Sequence, residues 1–225
     1  MGVKRLHGHD ATGAGSRILG IGGSTRQGSR SLLALQAALA IAAEMGATVS
    51  LADVRTMALP LYDPDQALSD APPAVTWLLD EVRAADAYLL CTPTYLGTIA
   101  GSVKNALDSL TALSGDDPPF LGGKPVGLIA LGGTNATDAI TALGHVTHSL
   151  NGLAVPTTVA VPGQAIDRVT GGVIDAAVRR RLQRMIGEVV TLSGLIGRPR
   201  PVDPETISNH FWKIGREVSH PGTLG

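Results

Sequence analysis

Gly23-Ser24-Thr25-Arg26-Gln27-Gly28-Ser29-Arg30-Ser31 is the stretch that decides how this chain reads. It follows a short apolar run, Ile18-Leu19-Gly20-Ile21-Gly22. It precedes a segment with Leu32, Leu35, Leu39 and Ala42 at helical spacing. That order predicts a strand, a small-residue loop and a helix start. The loop carries four hydroxyls (Ser24, Thr25, Ser29, Ser31) and two guanidiniums (Arg26, Arg30). At a helix N-terminus, free N–H groups and the helix dipole both favour negative charge, so such a loop suits a phosphate dianion. An ordinary helix cap needs only one hydroxyl. A Walker A loop would end in Gly-Lys-Ser/Thr, which is absent. A dinucleotide fingerprint from Gly20 would read Gly20-x-Gly22-x-x-Thr25, without its third Gly, although Asp53 is spaced to act as its ribose-binding acid. A terminal phosphomonoester fits better than a pyrophosphate, because side-chain hydroxyls can surround it from several directions. Arg26 adds a charge-assisted contact.

Outward from this loop, strands and helices alternate five times. Strands are predicted at Arg17–Gly22, Ala47–Val54, Ala87–Thr92, Pro125–Leu131 and Ala154–Val161. The third and fourth read as continuous apolar runs, typical of strands buried on both faces. Helices are predicted at Arg30–Met45, stopped by Gly46; from Pro72-Pro73 to about Ala84; around Val103, Leu107 and Leu110; from about Asp138 to Asn151; and from Val173 to Gly194. Crossovers of this length imply parallel strands and right-handed connections. The expected architecture is a three-layer α/β domain over residues 16–196, a doubly wound sheet of five parallel strands. Residues 1–15 read as a disordered leader. Residues 197–225 read as a Pro-rich tail with a helical candidate at 205–216, suited to cover a neighbouring subunit through Phe211 and Trp212.

In such a sheet a ligand sits beyond the carboxyl ends of the strands, at a topological switch point. Two further small-residue loops fall on that edge. Pro93-Thr94-Tyr95-Leu96-Gly97 carries no carboxylate or basic group and offers backbone N–H and C=O groups to the edge of a polar ring. Gly132-Gly133-Thr134-Asn135 lets backbone approach a ligand closely, with Thr134 and Asn135 as hydrogen-bonding side chains. Each alone reads equally as a turn or helix cap; three together on one edge do not.

Composition narrows the function classes. Net charge is −1, which argues against an extended nucleic-acid surface. The single cysteine, Cys91, excludes an internal disulfide and fits a reducing cytoplasm; its strand context marks it as a core residue rather than a nucleophile. Neither a signal peptide nor an apolar run of membrane-spanning length is evident. His145 and His148 lack a third ligand, so no metal site is expected. Arg179-Arg180-Arg181 and Arg184 read as a solvated helix face. With 3% aromatic residues, a planar ligand finds few rings to stack on.

The motifs resemble those of the NADPH-dependent FMN reductase family, which has a flavodoxin-like fold. The Gly-Ser-x-Arg-x-x-Ser loop is matched by Gly23, Ser24, Arg26 and Ser29. The Pro-x-Tyr loop and following helix are matched by Pro93-Thr94-Tyr95 and Lys104-Asn105-Ala106-Leu107-Asp108, and the Gly-Gly loop by Gly132-Gly133. The likeness spans roughly Arg17 to Ser193. It implies that Ser24, Thr25, Arg26, Ser29 and Ser31 surround the FMN phosphate. It also implies that Pro93, Thr94, Tyr95, Leu96 and Gly97 edge the isoalloxazine, with Gly132, Gly133 and Thr134 on its other rim. NADPH, or NADH, would pass a hydride to the flavin, so no catalytic side chain is implied. A homodimer or homotetramer is implied as well. Many members have Glu-Tyr-Asn-Gly where this chain has Thr94-Tyr95-Leu96-Gly97. That variant is similar to sulfonate-utilisation flavin reductases, which hand reduced FMN to a partner monooxygenase. Reduction of a quinone, azo dye or metal oxyanion by bound FMN is the alternative activity. A repurposed electron carrier or scaffold is the non-enzymatic one, disfavoured because carriers are strongly acidic. Arg17, Arg168 and the Arg179 cluster are equal candidates for a dinucleotide 2′-phosphate.

Overall fold

Arg17–Gly22 forms β1, whose alternating side chains serve two separate cores, as the two-residue period of a strand requires. Ile18 joins one apolar cluster, and Leu19 and Ile21 join the other. The computed structural model describes residues 15–133 and 135–196. Thr134, the leader up to residue 14 and the tail from residue 197, with Phe211 and Trp212, lie outside the described residues.

The elements follow as α1 (Arg30–Glu44), β2 (Thr48–Asp53), α2 (Val54–Met57), α3 (Pro73–Ala84), β3 (Ala87–Tyr95), β4 (Thr98–Ile99), α4 (Gly101–Asp108), β5 (Pro125–Leu131), α5 (Ala136–Ser149), β6 (Leu153–Ala154), β7 (Val159–Val161) and α6 (Ala176–Ile196). The main sheet runs β2-β1-β3-β5, with β6 and β7 both on the far side of β5, and every one of these pairings is parallel. This is the order 2-1-3-4-5 expected of a flavodoxin-like sheet. Helices α1 and α6 cover one face, over Ile18, Leu89, Cys91, Ile129 and Val161. Helices α3, α4 and α5 cover the other, over Leu19, Ile21, Leu90, Val126 and Leu128. Small residues set the distance between layers. A Cβ at Gly20 would lie 2.9 Å from Cδ1 of Leu39 and 3.1 Å from Cδ1 of Leu35, so α1 packs down on β1 only because Gly20 has no side chain.

Four details depart from the expectations. The fifth strand is broken into β6 and β7. Pro156 has no N–H for the ladder, and the amide and hydroxyl of Thr157 turn instead to the Glu188 carboxylate on α6, at 2.8 and 2.6 Å. The third strand runs three residues past Thr92 and doubles back into β4, which pairs with it antiparallel. Helix α6 starts at Ala176, where Asp175 Oδ1 accepts from the amides of Ala177 and Val178, whereas Val173 bridges to Ile166. Asp53 begins the unanticipated helix α2 as its N-cap.

The β3–β4 hairpin turns on Leu96 and Gly97, with φ of +50° and +76°. Positive φ at both central positions is the signature of a type I′ turn, which prefers Asn-Gly. Leu96 is fully exposed and gains no packing in return. Leu96→Asn is therefore expected to stabilise the fold by about 1 kcal/mol through relief of left-handed strain, measured by urea denaturation. Gly20→Val, by contrast, is expected to cost about 1–3 kcal/mol from overpacking against Leu35 and Leu39, read from the same transition.

Candidate active site

Gly22 ends β1 with φ +155°, and a Cβ there would lie 2.0 Å from the Cys91 carbonyl oxygen. Only glycine lets β1 run this close to β3 at the point where the chain leaves the sheet. The Gly23 amide donates to the same carbonyl at 3.2 Å. Beyond it, buried Ser24 accepts from the Arg26 amide at 3.2 Å and shares a hydrogen bond with the Tyr95 hydroxyl at 3.2 Å. That bond ties the β1 loop to the end of β3. Ser29 caps α1 by accepting from the Leu32 amide at 3.3 Å, and its hydroxyl lies 2.8 Å from that of Ser31. Three serine hydroxyls and the unpaired amides of the first helical turn therefore gather at the head of α1.

Neighbouring groups hold this loop from below and from the side. Cys91 lies beneath it and donates its thiol to the Ser31 carbonyl at 3.2 Å. Burial pushes the thiol far above its ordinary pKa, so it stays a protonated donor rather than a nucleophile. Asp53 is buried, with one carboxylate oxygen accepting from the Arg55 amide at 3.1 Å and the other from the Thr56 hydroxyl at 3.2 Å. This occupation corrects the reading of Asp53 as a ribose-binding acid: it caps a helix. The Arg55 guanidinium in turn donates to the Thr25 carbonyl.

One open cleft of about 720 Å³ joins the loops at this sheet edge. Its wall contains Ser24, Arg26, Gly28, Ser29, Arg30 and Ser31 after β1; Pro93 and Tyr95 on β3; Leu131, Gly132 and Gly133 after β5; and Pro162, Gly163, Gln164 and Arg168 after β7. No carboxylate lines it among the described residues. The guanidiniums of Arg26, Arg30 and Arg168 make no hydrogen bond or ion pair among the described residues. A carboxylate-free concavity with unpaired cations attracts anions.

Most residues singled out from sequence converge here: Ser24, Arg26, Ser29, Ser31, Pro93, Tyr95, Gly132 and Gly133. Thr94 stands behind the wall. Its hydroxyl is buried without a partner, and a Cβ at Gly132 would come within 2.7 Å of it. Thr25 faces a different groove, shared with Val54 and Arg55. Leu96 and Gly97 form the hairpin tip and do not line the cleft. Thr134 is outside the described residues. The Lys104–Asp108 motif serves packing: Asn105 accepts from the Tyr62 amide at 2.8 Å and donates to the Pro60 carbonyl at 2.8 Å, fastening the Pro-rich loop to α4. The 162–168 loop is the part that motif reading passed over. The strand-edge rule that located the other three loops would have found it, because it too follows a parallel strand.

Comparison with known proteins bears on the fold and the family. An NAD(P)H-dependent FMN reductase of Pseudomonas aeruginosa is 40% identical over 113 residues, covering 50% of this chain and 58% of that one. An NADPH azoreductase of a Bacillus species is 36% identical over 116 residues, covering 50% and 61%. The chain thus spans little more than half the length of these curated relatives. Among solved structures, FerB, a flavoenzyme NAD(P)H:(acceptor) oxidoreductase from Paracoccus denitrificans, superposes with a TM-score of 0.67 at 24% identity, covering 80% of this chain and 98% of FerB. A flavodoxin, WrbA-like protein from Agrobacterium tumefaciens gives 0.55 at 16%, covering 80% and 98%. At those identities the superpositions show a shared flavodoxin-like fold. The model of the NADPH-dependent FMN reductase family matches residues 16–165, two thirds of the sequence and every strand described above, and the chain belongs to that family.

Proposed function

We propose that this protein is an NAD(P)H-dependent flavin reductase that takes FMN into the cleft. One observation carries the reading: Ser24, Ser29 and Ser31, the α1 N-terminus and the unpaired Arg26 guanidinium share a cleft that no carboxylate among the described residues lines. The residues fit the group. Gly28 has φ +66° and open space where a Cβ would stand, so backbone can close on a phosphate there. The unpartnered Thr94 hydroxyl lies against the Gly132 rim, where a polar ring edge would pass.

Bound FMN supplies two-electron chemistry, accepting hydride from a nicotinamide and passing it on. The chain's part is binding and orientation. Ser24 and one hydroxyl of the Ser29–Ser31 pair would donate to the phosphate, and Arg26 would balance its charge. The Ser24–Tyr95 bond holds the β1 loop and the end of β3 at a set separation, which places the ring relative to its phosphate anchor. Tyr95 is half exposed and is the one ring on the wall among the described residues, so stacking from them contributes little. Phosphate-dominated binding in an open cleft suits FMN that enters oxidised and leaves reduced, for use by a partner monooxygenase. The cytoplasm, where reduced dinucleotide is held, is the compartment this reading requires. No helix among the described residues is long and apolar enough to cross a membrane.

NADPH oxidation by the purified chain should rise with added free FMN and saturate in the micromolar range. A rate independent of free FMN, with flavin retained through dialysis, would instead indicate a prosthetic group serving a quinone or azo acceptor. No oxidation at any flavin concentration would defeat the enzymatic reading. Arg26→Ala should weaken FMN binding by roughly 10- to 100-fold, from loss of a charge-assisted hydrogen bond of about 1.5–3 kcal/mol. Riboflavin, which lacks the phosphate, should bind wild type and variant alike. Quenching of flavin fluorescence measures both.

A further inference from the structure

We propose that Arg168, backed by Arg30, forms a second phosphoryl-binding subsite in the cleft and receives a phosphate of the reducing dinucleotide. This rests on the FMN-binding reading above. It concerns charge that the reading leaves unused.

The flavin phosphate has its own cation in Arg26, within the β1 loop. Two more guanidiniums remain on the wall nearest the 162–168 loop. Arg30, first residue of α1, reaches across to that loop: a Cβ at Gly163 would lie 2.5 Å from its Nη1. Glycine at 163 is what lets the guanidinium lie there. Its Nε is buried and has no acceptor. Arg168 follows Asp167, whose Oδ1 accepts from the amides of Val169 at 2.7 Å and Thr170 at 3.3 Å. Those bonds turn the only nearby carboxylate of the loop into its own backbone and hold it ionised, its pKa below the ordinary range. They also fix the turn that carries Arg168, whose guanidinium has no partner.

The rival cations are accounted for. Arg17 stands at the opposite end of β1, 3.6 Å from Glu81. Arg179 donates to the Val173 carbonyl and Arg181 to the Thr158 carbonyl, each at 2.6 Å, and Arg184 lies 3.6 Å from Glu188. Of the described arginines without a partner, Arg26, Arg30 and Arg168 line the cleft, and Arg180 lies in a separate groove. Two guanidiniums sharing a wall without a carboxylate repel each other until an anion stands between them. The dinucleotide offers two such anions, a bridging diphosphate and, in NADPH, a 2′-phosphomonoester.

The test is titration calorimetry on the FMN-loaded full chain with adenosine 2′,5′-bisphosphate and with ADP, on wild type, Arg168→Ala and Arg168→Lys. Arg168→Ala should weaken at least one probe about tenfold, as expected for a lost charge-assisted contact, with partial recovery in Arg168→Lys. Weakening of the bisphosphate alone, with kcat/KM for NADPH falling and that for NADH spared, assigns the subsite to the 2′-phosphate. An equal loss for both probes and both dinucleotides assigns it to the diphosphate. Unchanged affinity for both probes would overturn the proposal, as would a tenfold loss of FMN affinity in Arg168→Ala with dinucleotide binding intact. Failure of wild type to bind FMN would show itself before any variant is compared, and it would count against the functional reading instead.

Discussion

The backbone leaves β1 and β3 in opposite directions, and the rest of the molecule's chemistry depends on that divergence. After Gly22 the chain turns toward the face covered by α1, and after β3 it returns through β4 to α4 on the other face. Adjacent parallel strands whose connections part this way open a crevice between them. The crevice needs no dedicated residues to exist. It needs residues that keep it polar, and Ser24 and Tyr95 meet on its wall. Gly22 allows the close strand approach, and the shared Ser24–Tyr95 hydrogen bond stops the two loops from spreading.

How far this could be read from sequence depended on whether the signal was local. The β1 loop was legible because serines, an arginine and glycines in a row at a helix start have one strong physical interpretation. The doubly wound parallel sheet followed from alternation, and its flavodoxin-like form from the family resemblance. The split of the last strand was not legible, because it depends on Glu188, 31 residues away from Thr157, accepting the bonds that the ladder lost at Pro156. Asp53 misled for a related reason: its spacing fitted a ribose contact, but the following Arg55 and Thr56 captured the carboxylate first. Ranking Arg168 above Arg17 and Arg179 required knowing which guanidiniums were already engaged, and a one-dimensional pattern does not contain that information.

The cleft relies on charge and backbone more than on rings. Among the described residues Tyr95 is the aromatic one on its wall, and its hydroxyl is already engaged by Ser24. A ligand held this way is anchored at its phosphate and lightly constrained at its ring. Such binding is salt-sensitive and reversible, since exposed charge pairs are screened within about 10 Å at ordinary ionic strength. It suits a protein that exchanges its flavin and suits poorly one that must keep it.

Several groups of this chain stand unsatisfied at or behind the cleft wall. Thr94 buries an unpaired hydroxyl behind its wall, Arg30 buries an unpaired Nε, and three guanidiniums on it have no partner among the described residues. Around it, apolar residues alternate into two cores, Asp175 caps α6, and the Arg83 guanidinium reaches both Asp80 and Asp116. A folded chain tolerates unsatisfied groups only when the remainder is consistent enough to carry the cost. Donors and cations without partners at the carboxyl edge of one sheet are the groups that an anionic, hydrogen-bonding ligand would meet there.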